Sequence, residues 1–279
     1  MKLSIITINL NNREGLERTI QSVLSQIFID FEYIIIDGGS TDGSVELIHS
    51  LNPSLPQSFK WISEPDTGVY NAMNKGILMA NGEYCLFLNS GDWLADENVV
   101  GDFYAFEGEG DIILGNMYLW DNHKVTLLQT KDKEIFGFEH FYFGGNLPHQ
   151  ATFTKRKLFD LYGLYNENFK IASDFEFLVI TLVTKGATYN HFDRIISYYD
   201  LSGISSQKEF SDLHQTERDE IFKTHVPLVY KSYKILCDQL QILQLHESEY
   251  REYMNLKNGR LGFLIRLILL LKEKRKQLT

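Results

Sequence analysis

The sequence predicts an α/β layered domain over roughly its first two hundred residues, with a helical extension behind it. Three observations carry this. Short apolar runs alternate with amphipathic segments through the first hundred residues. Turns rich in Gly, Asn and Asp follow those runs. Beyond about Ser206 the pattern is helical almost to the end, interrupted by Pro227. The 279 residues suffice for one large domain with an annex, and 44% hydrophobic against 23% charged content rules out wholesale disorder.

Leu3–Ile8 reads as a strand, and Leu16, Ile20, Val23 and Leu24 line one side of a helix. Tyr33–Ile36 is a continuous apolar run, so its strand is covered on both faces. It leads into the turn Asp37–Gly43 and a helix from Ser44. Lys60–Ser63 is a third strand, and Tyr70–Met79 a helix with Ala72, Met73 and Ile77 on its apolar side. Tyr84–Leu88 is a fourth strand, stopping at Asn89-Ser90-Gly91-Asp92. Two more strand-like runs lie between Asp111 and Gln129, and the aromatic segment Phe136–Gly145 reads as a loop. Arg156–Tyr162 and Phe175–Lys185 read as helices, and Thr188–Phe192 and Ile195–Asp200 as strands.

Two cysteines, Cys85 and Cys237, cannot build a disulfide framework, which suits a reducing, cytoplasmic setting. The N-terminus lacks a secretory pattern, and no run approaches the ~20 apolar residues of a membrane span. A net charge of −10 argues against nucleic acid as partner. That charge is uneven. Asn255–Thr279 holds seven basic residues and one acid, net +6, which leaves −16 on the other 254 residues. The run Leu261–Leu271 followed by Lys272–Lys276 fits a helix lying in an anionic membrane interface, peripheral on the inner face of the plasma membrane. It equally fits a core or dimer-contact helix with a basic end.

Polar residues collect after strand ends at Asn9–Asn12, Asp37–Asp42 and Asn89–Asp92. In open α/β sheets ligands bind at that edge, although any one such turn is ordinary βα chemistry. Gly38–Gly43 has the glycine spacing of a P-loop, but Ser44 stands where its lysine belongs, and no Gly-x-Gly-x-x-Gly occurs there. What remains is Asp37, able to accept hydrogen bonds from a base imide or ribose hydroxyl.

Together the blocks Ile5–Asn9, Ile35–Ser44, Ser63–Gly76 and Gly82–Asp92 resemble, in order and spacing, those of the family 2 glycosyltransferases. The nearest likeness is to the branch from bacterial capsule, exopolysaccharide and O-antigen clusters. The resemblance implies a GT-A-like (Rossmann-like nucleotide-diphospho-sugar transferase) fold, a mixed sheet flanked by helices over residues 1–206, with 207–279 as the helical C-terminal extension. It implies an inverting, metal-dependent glycosyltransferase of surface polysaccharide biosynthesis. Its partners would be a nucleoside-diphosphate donor, a UDP-sugar first, and a glycan or lipid-linked acceptor.

By the same resemblance Asp37 contacts the nucleotide base, Asn9 and Ser90 belong to the donor side, and Asp66, Tyr70 and Asn74 complete the nucleoside pocket. That trio also fits a polar helix face with Asp66 at its start. The fourth block normally carries Asp-x-Asp, holding Mg²⁺ or Mn²⁺ on the diphosphate. Here Asn89 replaces the first acid and Asp92 remains as metal ligand. Asp92 equally fits a cap for a helix starting at Trp93. Ser173-Asp174-Phe175-Glu176 matches the family's catalytic-base motif, with Asp174 as base, and also fits a capping box. His149 and Gln150 are carried over as acceptor- or diphosphate-side residues. So is Ser205, in a closing Gly-x-Ser segment. Phe138–Asn146 is a mobile lid or a core segment. A nucleotidyltransferase, a glycoside hydrolase using Asp92 and Asp174, or a non-catalytic nucleotide-sugar binder stay open on the residues alone.

Overall fold

The computed structural model describes residues 2–51, 58–121, 123–130, 136–203 and 210–239. The basic C-terminal segment and Ser205 lie outside them. The chain forms two compact units, Met1–Val226 and Pro227–Thr279.

In the first unit, β1 (Leu3–Asn9), α1 (Arg13–Leu24), β2 (Glu32–Asp37), α2 (Ser44–Leu51), β3 (Phe59–Ser63), α3 (Val69–Met79) and β4 (Tyr84–Phe87) make the alternating layer read from the sequence. β5 (Trp93–Leu94), α4 (Val99–Ala105), β6 (Ile112–Trp120), β7 (Val125–Leu128), α5 (Phe138–Tyr142), β8 (Thr152–Lys155) and α6 (Lys157–Tyr162) follow. α7 (Ser173–Leu178), β9 (Tyr189–Asp200) and α8 (Ser211–His225) complete it. The described strands form one mixed sheet in the order β3-β2-β1-β4-β8-β6-β9-β5, with β7 paired to β6.

β1, β2, β3 and β4 run parallel, with Asn9 opposite Asp37 in register. Leu3, Ile5 and Ile6 of β1 and Tyr33–Ile36 of β2 are fully buried, as two-sided helix cover requires. β8 is antiparallel to β4 and β6, so its start falls at the edge where the parallel strands end. β9 runs parallel to β6 with register shifts around Asn116, where a Cβ on Gly115 would lie 2.2 Å from Ile196 Cγ1. The missing side chain lets Ile196 into the core.

Three local expectations are corrected. The aromatic loop contains helix α5, because Phe138 and Phe141 bury their rings. The last two strands are one, bent at its irregular register rather than broken. The helix expected from Phe175 starts at Ser173 and finishes as a π-helical turn, Val179–Thr184.

α8 is fastened to this unit by Glu217, which accepts the Lys170 and Ile171 N–H groups at 2.8 and 3.1 Å, and by His225, 2.7 Å from Glu176. The second unit is helical over 227–239, opening with Pro227 at the position that tolerates a missing N–H. No helix among the described residues is long and apolar enough to cross a membrane.

Candidate active site

The strand order lines up, along one sheet edge, the ends of β2, β1 and β4, the start of β8 and the ends of β6 and β9. Asp37 is completely buried at the end of β2. Its Oδ1 accepts Asn9 Nδ2 at 2.8 Å, and its Oδ2 accepts Gly39 N, Ser40 N and Ser63 Oγ at 3.1, 2.9 and 2.7 Å. Burial pushes its pKa up, but these donors outweigh it and hold the carboxyl below its usual value. Asn9 also reaches Ser40 Oγ at 3.1 Å and leaves its own Oδ1 buried without a partner. Asp66 closes over this turn. A Cβ on Gly38 would lie 2.3 Å from Asp66 Oδ2, so only glycine admits that approach. Asp66 Oδ1 accepts Gly68 N, shaping the entry to α3.

Ser90 is stitched to the end of β1 and to the start of α1, its N–H donating to the Ile8 carbonyl at 2.9 Å and its carbonyl accepting Asn12 Nδ2 at 2.8 Å. Asp92 does not cap a helix, since Trp93–Leu94 is a short strand. It is 3% exposed, with Oδ1 accepting Asp200 N at 3.0 Å and Oδ2 accepting Gln150 Nε2 at 3.1 Å. Among the described residues no Lys or Arg pairs with it, and burial pushes its pKa up to about 6. Asn89 leaves Oδ1 buried and unpartnered.

Asp174 sits in the first turn of α7. Ala172, not Ser173, is the N-cap, and no side chain caps the helix. The capping-box expectation therefore fails. Ser173 Oγ accepts Asn166 N instead, and Glu176 turns to His225. Asp174 Oδ1 accepts the Tyr70 hydroxyl at 2.9 Å, and Oδ2 lies 3.1 Å from His149 Nδ1. Burial alone would raise its pKa, but His149, Tyr70 and the Phe175 N–H bring it below the ordinary value. Tyr70 is pushed far up by burial and by the Asp174 charge, so it stays a donor. Asn89 Nδ2 lies 3.3 Å from His149 Nε2.

Tyr70 and Asn74, both on α3, thus face the Tyr165–Asp174 segment. Asn74 exchanges bonds with the Tyr165 backbone and reaches Glu167 Oε1, each at 2.9 Å. Three residues escaped the sequence reading. Asp200 braces Asp92 and pairs with Arg18 at 3.4 Å, and Glu167 gathers Asn71 and Asn74. Arg218, buried over the Phe175 ring at 3.9 Å, donates to the Phe141 and Gly145 carbonyls. Asp200 alone left a trace, an acid ending a strand as Asp37 does. The other two work through contacts far apart in sequence.

A hard divalent cation fits Asp92. Among the described residues no Lys or Arg pairs with this buried carboxylate, and Asn89 Oδ1 is buried without a hydrogen-bond partner. Among the described residues no three His, Cys, Asp or Glu side chains gather as a complete site. Diphosphate and water would have to supply the other ligands.

The fold is that of the GT-A glycosyltransferases. S. aureus TarS, solved with UDP-GlcNAc, superposes with a TM-score of 0.60 at 22% identity, covering 72% of this chain. The chain spans less than two thirds of that structure, 58% of its length. The mannosyltransferase PcManGT of Pyrobaculum calidifontis, solved with GDP-Man and Mn²⁺, gives 0.56 at 12% identity, covering 82% of this chain and 64% of its own. In sequence, an uncharacterised glycosyltransferase of Mycobacterium tuberculosis is 34% identical over 224 residues, 76% of this chain and 82% of its own length. A PGL/p-HBAD biosynthesis glycosyltransferase of Mycobacterium bovis is 29% identical over 230 residues, covering 81% and 84%. The model of glycosyl transferase family 2 matches residues 4–160. The chain belongs to that family and is a glycosyltransferase.

Proposed function

We propose that this enzyme transfers a sugar, with inversion, from a nucleoside diphosphate to a hydroxyl of a glycan or lipid-linked acceptor in surface polysaccharide assembly. The observation that carries the reading is the carboxylate of Asp174, ionised and held at both oxygens, by Tyr70 and by His149 of the turn that leads into β8. Asp174 takes the acceptor hydroxyl's proton as that oxygen bonds to the anomeric carbon. The bond from that carbon to the diphosphate breaks on the opposite face, through an oxocarbenium-like transition state. The lowered pKa keeps the base available at neutral pH.

Asn9, Asp37 and Asp66 select the nucleoside, with Ser90 beside the diphosphate. Tyr70 and Asn74 serve the pocket by fixing its wall. A Mg²⁺ or Mn²⁺ ion held by Asp92 and Asn89 Oδ1 would neutralise charge on the departing diphosphate. Gln150 orients Asp92, and His149 orients Asp174. Ser205 is assigned to diphosphate cover from its sequence motif. The complexes of TarS with UDP-GlcNAc and of PcManGT with GDP-Man and Mn²⁺ support a nucleotide-sugar donor, UDP-linked first. The basic tail is proposed to rest on anionic lipid.

Melting curves with UDP, GDP and dTDP, each with and without Mn²⁺, test this reading. A nucleotide-specific, metal-dependent rise in Tm is expected, followed by transfer from the matching labelled sugar donor. Absence of any nucleotide response rejects it. For the tail, deletion of Asn255–Thr279 should abolish sedimentation with anionic vesicles while the truncated enzyme keeps its nucleotide response.

A further inference from the structure

Helix α8 packs against α7, and its Arg218 is a buried cation, 5% exposed. Among the described residues no Asp or Glu makes an ion pair with it. Burial lowers its pKa to about 10, and the charge that opposes this is that of Asp174. The adjacent Glu217 is turned to the Lys170 and Ile171 N–H groups instead. What the guanidinium touches comes from two segments that meet at Asp174. It lies 3.9 Å over the ring of Phe175, the residue after Asp174, and donates to the carbonyls of Phe141 and Gly145. Phe175 is fully buried, with the Phe141 and Phe222 rings edge-on to it at 5.5 and 5.6 Å. Gly145 stands four residues before His149, and its N–H folds back onto the His140 carbonyl at 2.8 Å. A Cβ there would lie 2.5 Å from that carbonyl oxygen, so the strap from α5 to His149 takes its tight form only with glycine. One side chain thus fastens the segment that delivers His149 to the helix that delivers Asp174.

We propose that Arg218 is a positioning residue for the Asp174–His149 pair, and that its charge supports the ionised carboxylate. The link to catalysis rests on the glycosyl-transfer reading above. Packing alone does not account for a cation at this place. Taking a guanidinium out of water without a carboxylate is costly, and two backbone carbonyls need only a neutral donor. A permanent positive charge beside Asp174 gives that burial a use, since it favours the carboxylate over the acid. Other groups also act on Asp174: Tyr70 and Tyr165, whose hydroxyls stay protonated, His149, and His214 one turn before Arg218 on α8. Burial and the Arg218 charge push His214 down. At neutral pH the charge that α8 brings to the carboxylate is therefore that of Arg218.

Three variants of the full chain separate fastening from charge. Arg218→Lys keeps the charge without the planar fork, Arg218→Gln keeps a donor without the charge, and Arg218→Met keeps neither. Hydrogen–deuterium exchange over 144–150 reads the fastening with no substrate present, and a thermal melt checks that each variant folds. Exchange there should be at least about 3-fold faster in Arg218→Met than in the parent. In sugar transfer, Arg218→Met should lose about 10- to 100-fold in kcat, with the donor KM within about 3-fold of the parent. The acid limb of kcat should move to higher pH in Arg218→Gln and Arg218→Met but hold in Arg218→Lys, a split that lost packing alone does not produce. Should Arg218→Met fail to melt cooperatively, Arg218→Lys and Arg218→Gln carry the same comparison. Unchanged exchange over 144–150 overturns the fastening. Parent-like kcat without the guanidinium overturns the positioning role, and a limb that moves equally in Arg218→Lys and Arg218→Gln overturns the role of the charge. Faster exchange in a protein whose parent form transfers sugar from no nucleoside diphosphate supports the fastening and rejects the glycosyl-transfer reading instead.

Discussion

The imidazole of His149 faces the Asp174 carboxylate, Nδ1 to Oδ2, at 3.1 Å. Because an ionised carboxylate only accepts, Nδ1 must carry the proton, and the Asn89 amide group at 3.3 Å from Nε2 suits that tautomer. Asp174→Asn should lower kcat by about 10²- to 10⁴-fold while the nucleotide-induced Tm shift persists. Transfer at the parent rate would remove Asp174 as the base.

On the proposed role of Asp174 as base, His149 is its positioning residue. Burial pushes Asp174 up, and the His149 contact leads the interactions that bring it below the ordinary carboxylate range. In kcat against pH the acid limb of the parent should therefore lie below that range. His149→Ala should shift the limb to higher pH and cost about tenfold in kcat at neutral pH. The sign for stability agrees. The Asp174 contribution is full above the unfolded carboxyl value and is lost as pH falls through the depressed folded one. An unmoved limb in His149→Ala would show that the contact has no effect on the base.

Asp92 behaves in the opposite sense. Its folded pKa of about 6 exceeds that of an unfolded Asp, so the folded state binds the extra proton between those values. Ionised Asp92 thus destabilises the metal-free fold, fully above about pH 6 and not at all below the unfolded value. In chelator at pH 7.5, Asp92→Asn should stabilise the protein by up to about 3 kcal/mol, with the gain vanishing near pH 4. The same variant should lose the metal-dependent part of the nucleotide response. Denaturant melts across pH, with chelator and with Mn²⁺, measure both effects.

Gly38→Ala tests the closure of the nucleoside side. The new Cβ would meet Asp66 Oδ2 at 2.3 Å, so the carboxylate must withdraw from the Asp37 turn. Because the contact is with the far end of a movable side chain, the cost to global stability should be small, with nucleotide affinity falling more. Calorimetric titration beside a thermal melt separates the two. Unchanged affinity would take Asp66 out of the pocket.

Asn74 should show a stability phenotype first. Its amide satisfies the buried N–H and C=O of Tyr165, and Asn74→Ala leaves both unpaired, costing about 2–4 kcal/mol. Asn71→Ala, which removes two exposed bonds, one to Glu167 and one from the Thr67 N–H, should stay within about 0.5 kcal/mol of the parent. Chemical denaturation of the two variants makes the comparison.

Strands β1, β2 and β4 of the parallel half were legible because each is a mostly apolar run stopped by Asn or Asp, as at Ile36–Asp37 and Leu88–Asn89. The aromatic segment around Phe138 was not, since aromatic residues serve loops, lids and buried helices alike, and only packing chooses among them. Asp174 was placed at a helix start by its motif. Its partners Tyr70 and His149 lie 104 and 25 residues away, and no local periodicity links them. Asn74 was given to the nucleoside pocket by the family resemblance, its spacing fitting a polar helix face equally well, and its hydrogen bonds reach the Tyr165–Glu167 segment. Spacing on a helix fixes a shared face but not what that face meets.

His149 and Gln150 are consecutive residues of one short 3₁₀ turn, and each steadies a different carboxylate, Asp174 in one case and Asp92 in the other. Neighbours in a chain cannot drift apart. On the roles proposed for the two carboxylates, a lengthened or rotated turn would therefore detune proton removal and departure of the diphosphate at once, so an engineer seeking a new acceptor should alter the surrounding walls and leave those two residues in place.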